Sequence, residues 1–163
     1  MVQDVLLVID LQNDVCDGIY RREELLAQVN ERIALYRRVG RPILFIQHND
    51  PWLEKGSSEW QLVDSLDARE VDLYMDKTHA NGFYHTPLQE LLTDLQVENL
   101  EFCGAQTEFC VNSTLVFAHG LGYRNFMQHG ATSTFDHQQM TAQTTIDFYE
   151  QHLWEHRFLE FID

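Results

Sequence analysis

Residues 5–9 read VLLVI and residues 42–47 read PILFIQ. Each is a short unbroken apolar run, the pattern of a strand buried on both faces. Between them, residues 23–39 carry apolar side chains at helical spacing (Leu25, Leu26, Val29, Ile33, Leu35, Tyr36, Val39), and Gly40 then suits a helix C-terminus. Strand, helix and strand in that order make a βαβ unit, whose strands run parallel with the helix crossing one face. The alternation continues outward. A weaker strand is read over Val71–Met75, and a helix opening at Thr86-Pro87 carries Leu88, Leu91, Leu92 and Leu95. Leu100–Cys103 is a fourth strand ending at Gly104, and Phe109–His119 is a helix closed by Gly120 and Gly122. Arg124–Met127 is a fifth strand, Asp136–Trp154 a long helix with Asp136 as N-cap, and His156–Phe161 a last strand at an edge. A polar loop over Asn49–Ser58 and a short helix over Glu59–Ser65 fill the remaining gap. The pattern predicts an α/β fold, a Rossmann-like doubly wound, mostly parallel six-stranded sheet with helices on both faces, in one domain spanning residues 1–163.

Composition supports a packed chain of this kind. The 163 residues are 44% hydrophobic and 23% charged, which excludes a disordered polymer. At this mass, surface scaling gives a folded area of roughly 8,400 Å², with about 70% of the extended chain's surface buried, so a core needs no disulfide staples. Charge is the unusual quantity: 26 Asp and Glu against 11 Lys and Arg give a net charge of −15. Such a surface repels phosphate backbones and anionic lipid, so neither nucleic acid nor membrane is expected as a partner, and strongly anionic substrates are disfavoured. The apolar run in MVQDVLLVIDLQND is too short for a membrane span and follows no basic stretch. Three cysteines (Cys16, Cys103, Cys110) show no framework spacing, which fits a reducing, cytoplasmic location.

In doubly wound sheets, ligands collect at the carboxyl ends of the strands. The residues there are Asp10, His48, Lys77 and the Gly104–Cys110 segment. Cys110 sits where a helix begins, so its thiol is expected to have a lowered pKa, with the Lys77 ammonium favouring the thiolate further. Asp10 can hold the lysine and take or return a proton. Nucleophile, cationic activator and base are the parts that acyl transfer to sulfur requires, with backbone N–H groups near Cys110 as an oxyanion hole. The plainer readings are a packed small residue at 110, a turn residue at 10 and a solvated lysine at 77. No G-x-G-x-x-G follows the first strand and no P-loop is present. HLWEH at 152–156 matches H-x-x-E-H, but no third ligand follows it, so these histidines are read as exposed residues of the last helix or contacts at a subunit interface. Cys103 and Cys110 lack C-x-x-C geometry, and Cys16 and Cys103 are read as inert thiols.

Three stretches narrow the choice: LLVIDLQNDV (6–15), DKTHANGFYHTPLQELL (76–92) and CGAQTEFCVNSTLVFAHGLGY (103–123). In this order and spacing, from about Val5 to Met127, they resemble the isochorismatase-like cysteine hydrolase superfamily. The most specific is the third, with G-x-x-T-x-x-C-V leading into a helix and G-Y. The resemblance implies Asp10, Lys77 and Cys110 as catalytic residues. It implies a cis peptide at Ala105–Gln106, which turns the Gln106 N–H toward the site to form the oxyanion hole with the Cys110 N–H. Thr107 braces that turn and, with Gln12, His48, Trp60 and Phe83, is assigned to the substrate-binding rim; Asn13 is a further rim candidate. The implied activity is hydrolysis of a small amide or carbamoyl compound through a thioester, with no cofactor, in a homodimer or homotetramer. The competing expectation is a catalytically silent member that keeps the fold for binding.

Two departures matter. Nicotinamidases of the family carry a metal site built on D-x-H after the second strand, with a further His downstream. Here FIQHNDPWLEKGSSEW has one His followed by Asn-Asp, so no metal is expected. After the fifth strand the usual Asp-Ala is replaced by Gly130-Ala131, and a local hydrogen bond is expected to be lost.

Overall fold

In the computed structural model, which describes residues Met1–Asp163, the strands are β1 (Val5–Ile9), β2 (Ile43–His48), β3 (Leu73–Lys77), β4 (Asn99–Ala105), β5 (Arg124–Gln128), β6 (Thr132–Ser133) and β7 (Glu160–Ile162). The sheet order is β3-β2-β1-β4-β5-β7, with β6 added beside the end of β4. Every pairing is parallel. The helices are α1 (Arg22–Arg38), α2 (Leu88–Asp94), α3 (Asn112–Gly120) and α4 (Ala142–Phe148). A π-helical turn, Thr107–Val111, leads into α3, and another, Tyr149–Trp154, ends α4. The fold class is as the alternation predicted, with seven strands rather than six. The extra strand, β6, is two residues long and too short to leave a sequence signal.

The central strand explains the order. All five residues of β1 are fully buried, because it pairs with β2 on one side and β4 on the other. From β1 the chain winds outward through β2 and β3, then crosses back to β4. The crossing opens the crevice between the ends of β1 and β4, the place where ligands bind in such sheets. Gly104 is what lets these two strands close at that end. Its φ is +126°, and a Cβ there would lie 2.1 Å from the Ile9 carbonyl oxygen, so no side chain fits.

Three local expectations are corrected. Glu59–Ser65 forms no helix. Its backbone pairs instead with the chain leaving β1: Asn13 N–H donates to Gln61 O (2.8 Å) and Val63 N–H to Leu11 O (3.0 Å). A helix would withdraw these groups from the rim. The last long helix begins at Ala142, not Asp136. Thr141 is its N-cap, accepting from Thr144 N–H, while the Asp136 carboxylate reaches forward to the Ala142 N–H at 2.7 Å. Just before this segment the Thr134 hydroxyl donates to Glu108 Oε1, in the π-helical turn after β4, at 2.7 Å. The third strand is also displaced by two residues, so that Lys77 ends it rather than follows it.

The core is one continuous apolar cluster with a charge pair inside it. Arg32 of α1 forks onto Glu101 of β4 at 2.5 and 2.6 Å, and Tyr36 donates to the same carboxylate at 2.7 Å. Arg32 also donates to the Met1 carbonyl at 2.8 Å. A buried pair with its lone pairs and protons this fully used is the form in which such a pair is tolerated. The exposed surface totals 8468 Å², in line with the scaling for this mass. No helix is long and apolar enough to cross a membrane.

Candidate active site

Four strand ends meet at the crevice. Lys77, the last residue of β3, has a fully buried side chain. Its ammonium donates to Asp10 Oδ2 at 2.8 Å and to His48 Nδ1, at the end of β2, at 3.2 Å. Asp10 follows β1 in a left-handed conformation (φ +53°). Its second oxygen, Oδ1, is buried and has no partner. Cys110, half-buried in the π-helical turn after β4, lies within electrostatic reach of both the Asp10 carboxylate and the Lys77 ammonium. The Ala105–Gln106 peptide is cis, and the Gln106 carbonyl accepts from the N–H groups on either side of Cys110, those of Phe109 and Val111, each at 3.2 Å.

The thiol behaves opposite to the expectation drawn from its helix position. Burial pushes Cys110 up to about 12, the Asp10 charge pushes the same way, and Lys77 only partly offsets them. Desolvation and a neighbouring carboxylate outweigh one ammonium and the start of a helix. The resting group is therefore a thiol.

The rim residues divide. Gln12 is fully buried and clamps the backbone: its Oε1 accepts from His48 N–H (2.8 Å) and its Nε2 donates to the carbonyls of His48 and Trp60 (each 2.9 Å). Gln47 donates to the same Trp60 carbonyl at 3.1 Å. The Trp60 indole Nε1 is buried without a partner, and Lys55 sits 5.8 Å from the ring centroid. Asn13 ties the loop down through Ser58 O at 2.7 Å. Thr107 is fully buried, its hydroxyl bonded to that of Thr132 at 2.9 Å, so it acts on the turn from beneath. Phe83 packs against Phe117 and Tyr123, with ring centroids 5.4 and 6.3 Å away, on the flank of α3.

Two features escaped the sequence. Asp50 bonds His48 Nε2 at 3.1 Å; the H-x-D spacing was its only signal. The second is Glu150, which meets the loop at Gly130. The Gly130 N–H donates to Glu150 Oε1 at 2.8 Å, and the other Glu150 oxygen bonds His129 Nδ1 at 2.8 Å. No three His, Cys, Asp or Glu side chains are grouped to hold a metal ion. The helix ends at Trp154, so His152 and His156 do not share a helical face.

A family model, the isochorismatase domain, matches residues 4–153. The chain belongs to the isochorismatase family. A crystal structure of an isochorismatase family protein superposes with a TM-score of 0.95 at 44% identity, covering 98% of this chain and 97% of that one. An isochorismatase from Pseudomonas putida gives 0.88 at 22% identity, covering 97% and 87%. N-carbamoylsarcosine amidase from Thermoplasma acidophilum gives 0.78 at 19% identity, covering 98% and 95%. At these lower identities the likeness is one of fold. Among curated proteins, ureidoacrylate amidohydrolase RutB of Klebsiella pneumoniae is 38% identical over 80 residues, 49% of this chain. The match spans 34% of that relative's length.

Proposed function

We propose that this family member is a cysteine hydrolase that cleaves the C–N bond of a small amide or carbamoyl compound through a thioester on Cys110. The carrying observation is the buried Lys77–Asp10 pair at 2.8 Å, with Asp10 Oδ1 unpartnered and the Cys110 thiol within electrostatic reach of both charges. The names of the relatives, an amidohydrolase of a ureido acid and an amidase of a carbamoyl amino acid, support the same bond type.

In the reaction, the Cys110 proton passes to Asp10 Oδ1 as Sγ attacks the carbonyl carbon. Negative charge on the carbonyl oxygen is received by the N–H groups of Gln106 and Cys110. Collapse breaks the C–N bond, Asp10 returns the proton to the departing nitrogen, and ammonia or an amine leaves. Water then attacks the thioester and gives a proton to Asp10. The C–S bond breaks to release the acid, and the proton returns to sulfur. Lys77 stays charged throughout and steadies whichever of the carboxylate, thiolate or oxyanion is negative. Apart from substrate and water, every group in the proposed cycle is a side chain or backbone amide of the chain.

Ammonia release measured over a panel of ureido acids, N-carbamoyl amino acids and small primary amides tests this reading. Turnover of at least one of them, lost in Cys110→Ser while the melting temperature is kept, is the expected result. Binding of such compounds with no ammonia from the unaltered protein would favour a silent binding module.

A further inference from the structure

His48 and Asp50 continue the polar chain of the site outward. Asp50 Oδ2 faces His48 Nε2 at 3.1 Å, and His48 Nδ1 faces the Lys77 ammonium at 3.2 Å. An ammonium has only donors, so His48 Nδ1 must accept, and its single proton then lies on Nε2, where the Asp50 carboxylate receives it. Both members are held from outside. Gln12 grips the His48 backbone on both its N–H and its carbonyl. Asp50 Oδ1 is fixed by the N–H groups of Trp52 (2.8 Å) and Leu53 (2.9 Å), which leaves Oδ2 for the histidine.

We infer that the His48–Asp50 pair is a positioning device for Lys77: Asp50 selects the histidine tautomer whose Nδ1 takes one lysine proton. With a second proton on Asp10 Oδ2, the third is left for the Cys110 sulfur. The inference rests on the cysteine hydrolase reading, and the pair acts only through Lys77. Asp50→Asn separates this role from bulk and folding. The asparagine Oδ1 still caps Trp52 and Leu53, but its amide nitrogen donates where Oδ2 accepted. His48 must then accept on Nε2 and carry its proton on Nδ1, pointing at the ammonium. Lys77 is displaced and the thiolate loses its closest cation.

The readout is the rate at which iodoacetamide modifies Cys110 at pH 9, measured by peptide mass spectrometry with no substrate needed. Asp50→Asn and His48→Leu are each expected to slow it about tenfold, the change in thiolate fraction for one pKa unit. His48→Asn, whose Oδ1 stands near the place of Nδ1, is expected to restore most of the rate. Lys77→Ala sets the floor. A slowed Lys77→Ala with unchanged Asp50→Asn and His48→Leu overturns the positioning role and leaves the triad standing. A Lys77→Ala rate equal to that of the unaltered protein overturns both. Equal slowing in His48→Leu and His48→Asn would assign His48 to packing alone and also overturn the proposal.

Discussion

Replacing Asp10 by Asn should end hydrolysis yet make the nucleophile more reactive toward an alkylating agent. The site holds one cation and two groups able to balance it. In the resting protein Asp10 fills that role, bonded to Lys77 at 2.8 Å, and its charge helps to hold the Cys110 thiol at about 12. Burial is the larger cause and Lys77 offsets only part of the rise, so removing the Asp10 charge lowers the thiol without returning it to its ordinary value. A fall of about one to two pKa units raises the thiolate fraction at pH 8 about ten- to a hundredfold. A less basic thiolate is also a poorer nucleophile, which takes back about half of that on a logarithmic scale. The net expectation is about a three- to tenfold faster reaction of Cys110 with iodoacetamide at pH 8. The pH profile should differ in shape as well. In the unaltered protein the logarithm of the rate climbs through pH 10 without levelling, whereas in Asp10→Asn it levels at lower pH. Mass spectrometry of the three cysteine peptides follows the reaction, with buried Cys16 and Cys103 as slow internal standards. A variant alkylated no faster than the unaltered protein would show that Asp10 does not oppose the thiolate, and the proton-transfer role would fall with it.

Removing one member of the Arg32–Glu101 pair should be costly: Arg32→Ala leaves a buried carboxylate with only Tyr36 as donor, and urea unfolding should show a loss of about 3–5 kcal/mol. Gly104→Ala forces a Cβ to 2.1 Å from the Ile9 carbonyl, so β1 and β4 cannot close; little folded protein by circular dichroism is expected, and an unchanged melting temperature would contradict the close approach. Hydrogen bonds from Asn99 and Glu98 hold the Asp4 carboxyl below its usual range despite the opposing effect of burial. A depressed folded-state pKa gives stability that is present above the ordinary value near pH 4 and is lost as pH falls through the lower one. Asp4→Asn should therefore lose stability at pH 7 but show a smaller further loss between pH 5 and pH 2, read from melting temperatures across that range.

The fold was legible because its central strands are buried on both faces. A strand such as VLLVI must be apolar throughout, and the helices between strands must carry one apolar stripe, so periodicity reports the βαβ winding directly. Elements whose backbone partners lie far off in sequence were not legible. Residues 59–65 follow the exit of β1 because the carbonyls of Glu59 and Gln61 accept from the N–H groups of Asp14 and Asn13, and the Val63 N–H donates to the Leu11 carbonyl. Nothing local encodes that pairing.

At the site the same division holds. Residue type and strand-end position picked out Asp10, His48, Lys77 and Cys110 from the chain alone, since topology dictates which ends share a rim. Their electrostatic state was a tertiary decision. A helix start argued for an acidic thiol, but burial and the Asp10 carboxylate, which arrives from the far end of the sequence, outweigh it and keep the sulfur protonated at rest. Order along the chain determines which chemical groups can meet. The charge each one carries depends on desolvation and on neighbours within a few ångströms, and only the folded packing sets those.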